Sequence, residues 1–423
     1  MAFGSAERSV HGSARVTWAL VAAWALLRLV QVWVVGWGTG GDVDRYHLLG
    51  RLWGAGVTPY SGFLLEYPPG SLPVFLAPLL FGGEANYTRW FGLEMMAFDL
   101  ATLWLVMAWA HRLAPEAENA RVAAGASYLL FTAALFPVLY ARFDLAPAML
   151  TLLALYLAYG TAPSLGALAL GFAGAVKVWP LALLPLWLIL SHRRQGWPGA
   201  ARAGGFIAVG FGAPVLPLLA RAGSRVVDFL TFHYQRGIQL ESTWATLAMI
   251  LADLGVSPVK VDLRFGAIHF QGPAASLFAQ FSTPAVLALT LAPQLVARRK
   301  GLGGPPDARG AIGLLATGGA VLGFLAGGKV LSPQFLVWIM PFLALVVSSP
   351  AGRGAALLAS VLTTVIYPYF WPALLHQEPG HLAALAALSA RNLVLACFYV
   401  MLLRRLALAP EEAVPGGGRA MSP

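Results

Sequence analysis

Long apolar runs separated by short polar ones recur along the whole chain, and most of the runs have the length of a membrane crossing. A helix rising about 1.5 Å per residue needs about 20 apolar residues to span about 30 Å of hydrocarbon. About twelve segments suit that role, at residues 16–37, 88–110, 121–140, 144–160, 164–176, 178–190, 203–221, 275–297, 311–327, 333–348, 354–371 and 382–403. The pattern predicts an all-α integral membrane protein, with a single polytopic domain over residues 1–409 and a disordered cytoplasmic tail over 410–423. Segments 164–176 and 178–190 reach only roughly 20 Å each, and they meet at Lys177-Val178-Trp179-Pro180. A bent or re-entrant pair is expected there. Broken backbone at membrane depth has to line protein or water, so a hydrated outer vestibule should lie beside Lys177.

Arg8 and Arg15 precede the first run. Holding them in the cytoplasm and alternating strictly places every strong basic cluster on the same side, as the positive-inside rule asks. Both termini are then cytoplasmic in a plasma-membrane protein. The two longest loops, about 38–87 and 222–274, face outward. In the first, Tyr46, Leu49, Trp53 and Val57 recur at helical spacing and predict a short interfacial helix; an interfacial helix is expected in the other loop as well. The two halves show no internal repeat.

Composition agrees. The chain of 423 residues is 58% hydrophobic and 11% charged, outside the range of soluble domains. Mean hydropathy is +0.71. The net charge of +10 does not indicate nucleic acid, because Arg193-Arg194, Arg298 to Lys300 and Arg404-Arg405 follow apolar runs, where stop signals belong. The first run, Val16 to Trp37, contains Arg28 and lacks a small-x-small cleavage site, and so reads as a retained helix. Cys397, the only cysteine, allows no intramolecular disulfide and suits packing.

Polar chemistry concentrates in the outer loops. The first reads Gly41-Asp42-Val43-Asp44-Arg45-Tyr46, then Thr58-Pro59-Tyr60, then Glu66-Tyr67-Pro68-Pro69. Two carboxylates emerging from a membrane helix can act as a general base or hold a divalent cation through substrate phosphates. Either aspartate alone can also be a helix cap. The prolines stiffen the third string and would aim Glu66 toward the acceptor, with Tyr46, Tyr60 and Tyr67 positioning substrate at the interface. Arg142 and Asp144 sit together where the third and fourth runs meet and can pair locally, or can serve the site, Arg142 on the donor phosphate and Asp144 in positioning substrate. Lys177 is costly in hydrocarbon, and its expected partner is a phosphate. In the second loop, His233-Tyr234-Gln235-Arg236 precedes Glu241-Ser242, and Lys329 with Gln334 opens a later run. These cations suit an anionic lipid headgroup. Arg28, Glu94, Asp99 and Arg391 read as structural ion pairs. Zinc-type spacing and phosphate-cradling glycine motifs are absent from the sequence.

Taken in order, Asp42 with Tyr46, GVTPY, EYPPG, RFDLAP, VKVWPL, HYQRG with ES, and KVLSPQFLVW resemble glycosyltransferase family 87, the polyprenyl-phosphate-mannose-dependent mannosyltransferases of the C-type membrane superfamily. The likeness covers roughly residues 20–345. It implies the C-type fold, a polyprenyl-phosphate-linked sugar donor, usually of mannose, and a glycolipid or glycan acceptor at the outer membrane face. It also implies an inverting transfer with an acid of the first outer loop as base, which carries over to Asp42, with Asp44 as the alternative. Pentose donors occur among relatives. The competing reading is a transporter or flippase of a lipid-linked saccharide, for which polar residues should cluster near the midplane rather than at one end.

Overall fold

The computed structural model describes residues 3–37, 41–300, 306–376 and 379–410, so residues 411–423 of the tail expected to be disordered lie outside it. In chain order, α1 (Phe3–Val35) leads into a first loop holding α2 (Asp42–Gly54) and α3 (Leu72–Gly82). Then come α4 (Tyr87–Leu113), α5 (Glu118–Ala134), the single turn α6 (Phe136–Leu139), α7 (Leu145–Ala158), α8 (Pro163–Val176) and α9 (Leu184–Ala222). The second loop carries α10 (Asp228–Gln235), β1 (Ile238–Gln239), α11 (Thr243–Asp253), β2 (Lys260–Arg264) and β3 (Ala267–Gln271). The chain closes with α12 (Pro273–Arg298), α13 (Pro306–Gly327), α14 (Leu336–Val346), α15 (Pro350–Thr364), α16 (Trp371–His376) and α17 (His381–Leu408).

Among the described residues, 7 helical stretches are long and apolar enough to cross a membrane. The remaining apolar segments form shorter helices, and α7, α8 and α14 have one end at the site described below. This is an integral membrane architecture. The expected segments 178–190 and 203–221 are the two arms of α9, which leaves helical geometry at Gln195 and Gly196. Gly196 takes φ +63°, and Leu188 of one arm reaches Gly204 of the other, as in a hairpin. Close approach of α8 to the second arm depends on small residues. A Cβ on Gly171 would stand 2.1 Å from the Ile207 carbonyl oxygen, the backbone proximity that glycine permits between membrane helices.

The basic clusters serve one end of the bundle. Arg112 bonds the Tyr156 carbonyl at 2.6 Å and Arg193 the Arg298 carbonyl at 2.5 Å, while Arg194 bonds that of Ala158 and Arg405 that of Val346. These carbonyls belong to last turns of α7, α12 and α14, where helical partners run out and the dipole favours cations. At the opposite end lie both long loops. In the first, α2 presents Tyr46 and Leu49 to the interior, as its periodicity predicts. The apolar α3 is an addition. The second loop holds a three-stranded antiparallel sheet of order β1-β3-β2, where the sequence suggested helices alone. Phe265 and Gly266, at φ +56° and +64°, form the two-residue turn joining β2 and β3.

The interior is apolar with a few ionic ties. α13 is the most enclosed long span among the described residues, most of its apolar stretch being buried. Of the expected ion pairs, Arg28 to Asp99 forms at 2.8 Å between α1 and α4, both side chains fully buried. Asp99 also accepts from Trp24, Tyr128 and Tyr140. Arg391 pairs with Glu241 at 3.3 Å. Glu94 joins neither pair, and its Oε2 is buried with no hydrogen-bond partner.

Candidate active site

At the entrance of α2, helical geometry separates the two aspartates. Gly41 occupies the cap position without a side-chain cap bond, so Asp42 and Asp44 are the first and third helical residues. Two residues turn a helix by about 200°. Asp42 therefore faces inward, lines a cavity of about 440 Å³ and meets Arg142 at 2.6 Å, with 37% of its side chain exposed. Asp44 points to solvent and lies outside that cavity. The carboxylate pair suggested as a cation seat is not formed. Among the described residues no group of three or more His, Cys, Asp or Glu gathers elsewhere.

Arg142 and Asp144 do not pair with each other as their adjacency suggested. Asp144 accepts from the Lys177 ammonium at 2.7 Å and from the Trp338 indole at 2.6 Å. Lys177 ends α8 in an extended conformation and lies near the faces of Phe143 and Phe335. The ammonium is thus held by a carboxylate that its sequence position did not suggest, and it borders the cavity. Asp144 is buried under the site and does not line it.

The Glu66-Tyr67-Pro68-Pro69 string brings two of its side chains to the cavity, Glu66 and Tyr67. Glu66 meets Arg45 at 3.1 Å. Burial lifts its carboxyl above the usual range, and Arg45 opposes the shift. Packing of this turn on the end of α8 needs Gly70, because a Cβ there would lie 2.5 Å from the Ala175 carbonyl oxygen. Tyr46 and Tyr60 are corrections to the sequence reading. Tyr46 is buried and stacks on Phe75 with centroids 4.6 Å apart. Tyr60 donates its hydroxyl to the Tyr67 carbonyl at 2.7 Å. Neither reaches the cavity, and both hold the wall that Tyr67 forms.

From the second loop, α10 brings His233 and Arg236 to the same cavity, with Gln334 opposite. Glu241 does not join them. It is fully buried, bonds the Trp371 indole at 2.9 Å, and burial pushes its carboxyl up to about 7 against the pull of Arg391. Lys329 lines a second, largely apolar cavity of about 260 Å³ and donates to the Tyr234 carbonyl at 2.7 Å. Val178, Trp179, Leu230, Val286, Phe324 and Trp338 supply much of its wall, together with Thr283, exposed on the outer surface of α12. The two cavities share Tyr67, Lys177, His233, Arg236 and Phe335.

Charge around this junction does not balance internally. Asp42 is matched by Arg142, Glu66 by Arg45 and Asp144 by Lys177. Arg236 makes no ion pair or hydrogen bond among the described residues, and its Nε is buried without a partner. Burial lowers its pKa, with Glu66 offsetting part of the effect. Lys329 is lowered likewise, by burial and then by Arg236.

Several lining residues had no signal in the sequence. Arg45 lay within the first-loop string, one helical turn after Asp42, and was not singled out. Gln239, Tyr367 and Trp371 enter from distant segments, and the β2–β3 turn closes one side through Phe265 to Ile268.

No family model matches the chain, and no curated protein matches it significantly. Among solved structures, the chain is similar to one described as the crystal structure of ArnT from Cupriavidus metallidurans in the apo state. That likeness has a TM-score of 0.45 at 16% identity, covering 92% of this chain and 77% of the other.

Proposed function

We propose that the protein is a C-type membrane glycosyltransferase that moves a sugar, mannose by the motif resemblance, from a polyprenyl phosphate to a cell-envelope glycan or glycolipid at the outer face of the plasma membrane. The observation that carries this reading is the junction at Arg236. An apolar cavity reaching the side of α12 meets one holding a carboxylate, and a half-buried arginine whose buried Nε has no hydrogen-bond partner stands where they join. A molecule with a hydrocarbon tail, an anionic linkage and a polar head fits that sequence of environments.

In this reading Asp42 Oδ takes the proton from an acceptor hydroxyl as its oxygen bonds to the anomeric carbon. The bond from that carbon to the phosphate oxygen breaks, and its electron pair leaves with the phosphate. The configuration inverts. Arg142 aims Asp42 through their ion pair. The phosphate gains charge as it departs, and Arg236, with Lys329 and Lys177 behind it, stabilises that charge more in the transition state than in the ground state. Fixed cations remove the need for a general acid.

Turnover by the purified chain with a panel of polyprenyl-phosphate sugars and extracted envelope lipids tests the assignment. Mannosylated product from polyprenyl-phosphate-mannose is expected. Transfer from a nucleotide sugar with no lipid carrier present would contradict it.

A further inference from the structure

Neither Tyr367 nor Trp371 has a part in the donor path, and both stand in the polar cavity on the side of Asp42. Their rings meet edge to face at 4.7 Å. Trp371 is fixed through its indole N–H, which donates to Glu241 Oε1 at 2.9 Å. Glu241 is itself held, since its carbonyl accepts from Arg391 at 2.8 Å and from Asn392 at 3.3 Å. Tyr367 accepts from Arg142 at 3.5 Å, and Arg142 grips Asp42 at 2.6 Å. A continuous chain of contacts therefore runs from a buried anchor to the proposed base by way of two aromatic faces.

Of the other aromatic rings on the cavity wall, Tyr67 and Phe335 are shared with the apolar cavity and Phe265 lies on the β2–β3 turn, while Arg45, Glu66, Lys177, His233, Arg236 and Gln334 are charged or polar. Such groups recognise hydroxyls and phosphate but offer nothing to the C–H face of a sugar ring. A rigid aromatic edge set among polar groups supplies that face. We infer that Trp371 and Tyr367 form a pyranose-binding subsite for the acceptor, with the ring packed on Trp371 so that one hydroxyl is held toward Asp42. The inference rests on the glycosyltransferase reading for the word acceptor, whereas the subsite itself rests on the contacts above.

Saturation-transfer NMR on the full chain in nanodiscs, with methyl pyranosides of mannose, glucose and galactose as probes, tests it. At least one probe should take up saturation mainly on the protons of one ring face. Trp371→Ala should weaken binding by about threefold to tenfold, the range an aromatic contact gives, while Trp371→Phe retains most of it. Farnesyl phosphate, measured by thermal shift on the same samples, should bind wild type and Trp371→Ala alike, which also reports folding. Should Trp371→Ala fail that check, Tyr367→Leu takes its place with the same expected weakening. Absence of saturation with every probe, or an undiminished signal in the folded alanine or leucine variant, overturns the subsite. Loss of farnesyl phosphate binding in wild type counts against the donor reading alone and leaves the subsite to the NMR.

Discussion

Asp42 and Asp44 illustrate how much two positions on a helix decide. Their spacing in sequence suggests a pair, and the turn of α2 gives one of them to the cavity and the other to solvent. Asp42→Asn should lower sugar transfer by about 10²- to 10⁴-fold, the usual contribution of a general base, with protein level unchanged. Asp44→Asn should transfer at nearly the wild-type rate. Arg236→Ala removes the cation that lacks a partner, so kcat/KM for the donor should fall by about tenfold to hundredfold, mostly through kcat, as when a charge-assisted bond to the transition state is lost. Initial rates over a range of donor concentrations check all three. The imidazole of His269, buried on β3, is pushed down to about 4 by burial and then by Arg236, from an ordinary value of about 6.5. The folded state keeps it neutral, so its contribution is complete above pH 6.5 and is lost as pH falls toward 4. Thermal melts between pH 4 and 7 should show that loss in wild type and less of it in His269→Gln.

Hydrophobic runs of the right length specify helices almost without help from tertiary structure, which is why the apolar segments were legible in the sequence. The site was legible in part, for a physical reason. Asp42, Glu66, Tyr67, Lys177, His233, Arg236 and Gln334 stood out because polar residues next to membrane helices are conspicuous, and all seven line the cavity. Partner choice was not legible. Arg142 and Asp144 are two residues apart yet bond to α2 and to the end of α8, and Glu241 turns away to Arg391 on α17. The β2–β3 hairpin was hidden because its strands are only five residues each and join through Phe265-Gly266, a turn without the usual asparagine or aspartate. One close approach makes a sharp test of these packing relations. In Gly70→Val the added carbons would meet the Ala175 and Val176 backbone just before Lys177. Destabilisation of about 1 to 3 kcal/mol by overpacking, with reduced transfer, is expected, and thermal melting with an activity assay reads both.

For the molecule as a whole, the bundle separates two tasks by end. Basic residues bond helix-terminal carbonyls at one end, and the loops assemble a charged pocket at the other. The buried tie from Arg28 to Asp99, with Trp24, Tyr128 and Tyr140 on the same carboxylate, holds α1, α4 and α5 in register beneath that pocket. Asp99→Ala strands a buried guanidinium and should cost about 3 to 5 kcal/mol, seen as a fall in melting temperature far larger than in Asp44→Asn. Apart from that buried tie, the polar groups that line the cavity gather at one end of the helices, which suits chemistry at a membrane surface.

The central claim is that a sugar leaves a lipid phosphate in the cavity that Asp42 and Arg236 share. Its most direct test is transfer of labelled mannose from polyprenyl phosphate to envelope acceptors by the purified chain in nanodiscs, run side by side with Asp42→Asn and Asp44→Asn. Labelled product from wild type and Asp44→Asn, and none above background from Asp42→Asn, is the result predicted. Equal product from all three, or no use of any polyprenyl-phosphate sugar by the wild type, would contradict it.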